Sequence, residues 1–199
     1  GGTEVGAGVL QIDGDAALAA SAGALTLSGG ATLRTAADAA LTLPASRALE
    51  LGSGGGVLEA QGSNAVITLQ GAPTGAGGLV KAGAGALDLG GQTLSLGAFT
   101  LEAGTLQNGV LGAGSFELQA GRVSASLSGS ATLQKTGPGR VVLAGDNTGF
   151  TGIVSLTGGT LQLDHAAALS ADNAVAVSTG TTLDLTAGTQ SVGALTGTG

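Results

Sequence analysis

The sequence predicts an all-β chain: a right-handed parallel β-helix (β-solenoid) of about eight to ten coils, continuous over residues 1–199. Three observations carry that expectation. Very short Leu-x-Leu segments recur from end to end, glycine makes up 40 of the 199 residues, and one stretch returns 54 positions later.

The segments include Leu10-Gln11-Ile12, Leu25-Thr26-Leu27, Leu41-Thr42-Leu43, Leu49-Glu50-Leu51 and Ile67-Thr68-Leu69. Further along come Leu87-Asp88-Leu89, Leu94-Ser95-Leu96, Val141-Val142-Leu143, Leu161-Gln162-Leu163 and Leu183-Asp184-Leu185. Alternation places the apolar pair on one face of a strand and turns the middle residue to water. Many neighbouring segments start about seven to eight residues apart, room for a short strand and a tight corner. Asp13-Gly14 and Asn108-Gly109 are the only dipeptides of the usual hairpin kind, which disfavours a sandwich of longer paired strands. No helical period persists.

The glycines fall between the segments, where a chain that turns often needs them. Glycine-rich chains can be disordered, but those are poor in apolar residues. Here 43% of residues are hydrophobic and only 10% charged, so the chain can bury surface.

The repeat pairs Leu79-Val80-Lys81-Ala82-Gly83-Ala84-Gly85-Ala86-Leu87-Asp88-Leu89 with Leu133-Gln134-Lys135-Thr136-Gly137-Pro138-Gly139-Arg140-Val141-Val142-Leu143. Downstream, Leu101-Glu102-Ala103-Gly104-Thr105-Leu106-Gln107 matches Leu156-Thr157-Gly158-Gly159-Thr160-Leu161-Gln162, with a weaker echo at Gly29–Leu33. No change in composition marks a linker or a second domain. Roughly 20–25 residues per coil and strands ~4.8 Å apart give a rod about 40–50 Å long. Parallel crossovers are right-handed in ~98% of cases, which sets the expected hand.

Composition excludes several function classes. A net charge of −7, with six scattered cations (Arg34, Arg47, Lys81, Arg122, Lys135, Arg140), argues against nucleic acid and anionic membranes as partners. The longest apolar-looking stretch, Ala16 to Leu27, is broken by Ser21 and Gly23 and too short to span a bilayer. With no Met and a Gly1-Gly2-Thr3 start, the chain reads as processed or excised. The absence of Cys is compatible with any redox compartment.

At residues 133–163 the repeat becomes a longer pattern. Leu133-Gln134-Lys135-Thr136-Gly137-Pro138-Gly139-Arg140-Val141-Val142-Leu143-Ala144-Gly145-Asp146-Asn147-Thr148-Gly149-Phe150-Thr151-Gly152, then Gly158-Gly159-Thr160-Leu161-Gln162-Leu163, resembles the passenger-associated transport repeat of autotransporters. That pattern reads L-x-K-x-G-x-G-x-L-x-L-x-G-x-N-x-Y-x-G with a G-G-T-L close. The matching motif residues are Lys135, Gly137, Gly139, Leu143, Gly145, Asn147, Phe150, Gly152, Gly159 and Leu161. Phe150 replaces the usual Tyr and Val141 the usual Leu. Residues 79–107 form a degenerate copy that lacks the Asn and aromatic portion. The family's tail follows as Leu183-Asp184-Leu185 and Ala194-Leu195-Thr196-Gly197-Thr198-Gly199.

The resemblance implies a non-catalytic scaffold in a secreted bacterial passenger, supporting outer-membrane export, folding and surface display. The alternative is an adhesin surface that attaches to host or bacterial cells. The implied location is the cell surface or the medium of a Gram-negative bacterium. The implied partner during export is the chain's own outer-membrane β-barrel translocator, and a chain without disulfides threads a narrow pore more readily. Open strand edges at the ends of an excised rod would template self-association.

No catalytic, cofactor-binding or metal-binding residues are expected. His165 is the only histidine, and Asp164 beside it cannot easily orient its ring, so a Ser-His-Asp arrangement is disfavoured and an exposed corner histidine expected. One imidazole and no thiolate make a poor zinc site. Asp13 and Asp15 are the closest carboxylate pair, expected as a solvated turn, and Asp184 stands alone mid-strand. A glycan-active enzyme is disfavoured further by the absence of Trp and Tyr. Gly54-Gly55-Gly56-Val57 lacks the Asp of a calcium-binding repeat. Gly83-x-Gly85 and Gly137-x-Gly139 mimic phosphate loops, but no helix follows them. All four glycines are expected to take positive φ at corners, Pro138 to stiffen one, Asn147 to bond its own turn, and Phe150 to fill the interior.

Overall fold

The computed structural model describes residues 1–18 and 23–198, and these form a parallel β-solenoid of ten coils. Ser21 and Gly199, both part of the readings above, lie outside the described residues. Coil 1 holds strands Thr3–Val5 and Val9–Ile12 and a 3-10 turn, Asp15–Leu18, that the sequence pattern did not indicate. Coil 2 has Leu25–Leu27, Ala31–Thr35 and Ala40–Leu43; coil 3 has Leu49–Leu51, Gly56–Glu59 and Val66–Leu69. Coil 4 has a lone bridge at Thr74, then Leu79–Ala82 and Ala86–Asp88. Coil 5 has Thr93–Leu96, Phe99–Leu101 and Thr105–Gln107, and coil 6 has Val110–Ala113, Phe116–Leu118 and Gly121–Val123. Coil 7 has Ser126–Ser128, Leu133–Lys135 and Arg140–Leu143. Coil 8 has a lone bridge at Phe150, then Val154–Leu156 and Thr160–Leu163; coil 9 has Ala174–Val177 and Thr182–Leu185; coil 10 has Ala194–Gly197.

Middle strands of all ten coils stack into one ten-stranded sheet, and the third strands of coils 2 to 9 form an eight-stranded sheet. First strands make two three-stranded sheets, in coils 1–3 and coils 5–7. Strands pair in parallel with their counterparts in adjacent coils. Consecutive strands lie on different faces, so the segment joins are corners and not hairpins. At Asn108-Gly109 the chain passes from Thr105–Gln107 to Val110–Ala113 on another sheet, with Asn108 at φ 56°.

Alternation works as expected on most strands. The central residue is buried less than its flanking leucines at Leu25–Leu27, Leu41–Leu43 and Leu49–Leu51. Burying each such leucine contributes ~1.5–3 kcal/mol, and the leucines of successive coils form one continuous core. Gln162 departs from the pattern. It is only 6% exposed because Thr186 folds over it, accepting from Gln162 Nε2 at 2.8 Å.

One inward column of the long sheet reads Leu10, Leu33, Leu58, Lys81, Leu101, Leu118, Lys135, Leu156, Val177, Gly197. Two lysines thus stand where most other coils carry leucine.

Candidate functional site: the lysine-closed corners

Lys81 and Lys135 follow an inward leucine by two residues, Leu79 and Leu133, so strand alternation sends both side chains into the interior. Each is fully buried. Their ammonium groups reach the corner that follows. Lys81 Nζ donates to the carbonyls of Ala82 (2.6 Å) and Gly83 (2.9 Å) in its own coil and of Ala103 (3.2 Å) in the next. Lys135 Nζ donates to Thr136 and to Gly137 (2.9 Å) in its own coil and to Gly158 (2.9 Å) in the next. Ala103 lies two residues past Leu101, which pairs with Lys81; Gly158 lies two past Leu156, which pairs with Lys135. The two corners are the same device built twice.

Burial pushes the Lys81 ammonium down to about 8, while Glu59 opposes the shift. Burial lowers Lys135 as well. Three carbonyls converging on each ammonium match its three N–H donors.

Glycine makes the corners possible in two different ways. Gly137 (φ 58°) and Gly83 (φ 77°) take the left-handed conformation, as expected. Gly139 and Gly85 do not. Their lack of a side chain is a matter of space: an added Cβ would lie 2.7 Å from Ala120 Cβ at Gly139 and 2.2 Å from Ala65 O at Gly85. Gly145 and Gly152 press equally close on the backbone of the coil below, at Ala125 and Ala131, and Gly159 (φ 64°) lies over Gly139. Leu143 and Leu161 are buried in the core, and Pro138 is exposed at its corner.

The Asn147 side chain bonds the coils on either side and not, as the sequence led us to expect, its own turn. It is buried, accepts at Oδ1 from the Leu127 N–H of coil 7 (2.7 Å), and donates from Nδ2 to Ala168 O beyond coil 8 (3.0 Å). It replaces strand pairing where coil 8 lacks a first strand. Asn173, overlooked in the sequence, repeats the device one coil on, donating to Phe150 O (3.0 Å) and Gly152 O (2.9 Å). Phe150 fills the interior edge-to-face on Phe116, with centroids 5.8 Å apart.

The weaker candidates resolve structurally. His165 is half-buried and not exposed, because its Nδ1 accepts from Ala167 N at 3.1 Å and folds the ring against its own turn. Asp15 is not in a solvated turn, since its carboxylate pairs with buried Arg47, which also donates to Gly23 O (2.8 Å). Asp13 is exposed, and Asp184 is half-buried beside Gln162. Among the described residues no three His, Cys, Asp or Glu side chains lie together as a metal site, and no helix is long and apolar enough to cross a membrane. On the outer face of the long sheet, Thr100, Ser115, Glu117, Thr132 and Gln134 line a cleft of about 240 Å³.

Stacked parallel coils with repeated corners closed by buried lysines define a β-solenoid repeat protein. Residues 79–107 and 133–163 match the passenger-associated-transport-repeat family. It is 32% identical over 186 residues to the protein named Adhesin BmaC autotransporter of Brucella suis biovar 1 (strain 1330). That alignment covers 87% of this chain and 5% of the relative's length. No solved structure matches.

Proposed function

We propose that this chain is a non-catalytic scaffold segment of an autotransporter passenger, supporting export through the outer membrane, folding, and display at the surface of a Gram-negative bacterium. One observation carries the reading. The distinctive side chains of the 133–163 repeat are buried inside the rod: Lys135, Asn147 and Phe150 all point into it. A motif directed at a ligand would turn at least some of them outward. Export partners the passenger with its own outer-membrane β-barrel translocator.

Stepwise stacking suits that role. In a solenoid each coil contacts only its neighbours, so coils can be added one at a time without distant contacts. The test is secretion of the full-length parent after in-register deletion of residues 133–163, scored by surface-exposed passenger. The scaffold reading expects stalled or much reduced export.

A second reading, an adhesive face, draws on the name of the similar Brucella protein. It also draws on the outward cleft around Glu117, whose hydroxyls and amide face solvent. Normal export of the deletion with lost cell attachment would favour this reading instead.

A further inference from the structure

We infer that Lys81 and Lys135 are register keys, specifying which coil stacks on which, and in what alignment. The inference rests on the scaffold reading and adds how a nearly uniform set of coils finds one arrangement.

Apolar packing alone leaves the register of this rod degenerate. The inward column carries six leucines at Leu10, Leu33, Leu58, Leu101, Leu118 and Leu156, each the single leucine of a strand of three to five residues whose other inward positions are also mostly apolar. A two-residue slip of one coil on the next keeps the same face inward and brings another apolar residue, such as Ala31, Phe99, Phe116 or Val154, to the leucine's place, so the apolar pattern alone does not forbid it. A lysine in the column removes that freedom. Two of its acceptors come from its own corner, but the third belongs to the following coil.

Only one alignment supplies it. The third acceptor is the carbonyl two residues past the residue paired with the lysine, at Ala103 or Gly158. A coil slipped by two would set a strand carbonyl there, already committed to the ladder. It would also bring side chains into space the ammonium needs: a Cβ at Gly104 would sit 2.7 Å from Lys81 Nζ. The two ends of the repeat motif, Lys-x-Gly-x-Gly and Gly-Gly-Thr-Leu, therefore meet only in the correct register. A buried polar group at a repeating apolar position is a known physical route to register choice, obtained at some loss of stability.

Cysteine pairs provide a direct measurement, because the chain has no cysteine of its own. Gln134 and Ser155 face each other across the seam of coils 7 and 8, and Val80 and Thr100 across that of coils 4 and 5. The full chain would be refolded and oxidised as Q134C/S155C (native register) and Q134C/T157C (slipped by two), each with and without K135M. The parallel set is V80C/T100C and V80C/E102C, with and without K81M. With lysine present, the native pair should close and the slipped pair should close at least tenfold less. With methionine, the slipped pair should rise several-fold while the unfolding midpoint holds or increases. Unchanged register selectivity in both methionine variants overturns the inference. So does failure of both to fold, since the lysines would then supply stability and not register. Neither result bears on the export assay, so the two readings fail separately.

Discussion

A buried ammonium is an expensive way to close a turn. At Lys81 the fold holds a charge whose desolvation lowers its pKa from 10.5 to about 8, with only Glu59 near enough to oppose it. Lys135 shifts in the same direction. Because the folded pKa lies below the unfolded one, the unfolded chain binds more protons between the two values, and stability rises with pH across that window. The chain has no Tyr or Cys, and its two lysines are the only side chains that titrate there. Denaturant unfolding followed from pH 7.5 to 10.5 should therefore show stability increasing above about pH 8, by ~3 kcal/mol for Lys81 at ~1.36 kcal/mol per pKa unit. K81M should remove that share, and K81M/K135M should flatten the curve. A flat curve in the unaltered chain would mean the carbonyl cages fully offset the desolvation. The direction of Lys135 was legible in the sequence, since Leu133-Gln134-Lys135 alternates like any Leu-x-Leu strand. What hid it was treating lysine as a surface charge by residue type and not by position.

Elements of this protein are corners as much as strands. Strand placement was readable because Leu-x-Leu alternation has one reading for a half-buried strand, and even the hairpin-type dipeptide Asn108-Gly109 sits at a corner between two sheets. The irregular first face of coil 8 was not readable. There strand pairing shrinks to the single bridge at Phe150, with Asn147 and Asn173 supplying further bonds between coils, and a single asparagine carries no periodic signal. The energetics of those bonds can be measured. Asn147→Ala would leave the Leu127 N–H and the Ala168 carbonyl buried without their partner. Unpaired buried groups cost ~1–3 kcal/mol each, so a loss of about 2–4 kcal/mol is expected in chemical denaturation. Thr151→Ala, at an exposed position of the same segment, should stay within ~0.5 kcal/mol. Comparable losses for both would place the cost in the segment at large and not in the asparagine bridge.

At the scale of the whole rod, the two ends are built differently. The C-terminal end leaves Leu185 and Leu195 more than half exposed beside Val177 and Leu183, an open apolar coil. The N-terminal coil is fastened: Arg47, in coil 3, is buried and reaches back to the Asp15 carboxylate and the Gly23 carbonyl. Leu49 pairs with Leu25, so Arg47 sits one turn above Gly23, and its bonds tie the corner entering coil 3 to the corner entering coil 2 and to the 3-10 turn of coil 1. Asp15→Asn keeps the shape but removes the counter-charge of a buried guanidinium, a change that typically costs ~3–5 kcal/mol. In a one-dimensional stack that cost should not spread evenly, because coils far from the lesion share no contacts with it. Hydrogen exchange of Asp15→Asn should accelerate at Val9–Ile12, Leu25–Leu27 and Leu49–Leu51 by tenfold or more, with residues 133–163 unchanged. Equal acceleration over the whole chain would show one cooperative unit, and coil-by-coil assembly during export would then lose its physical basis.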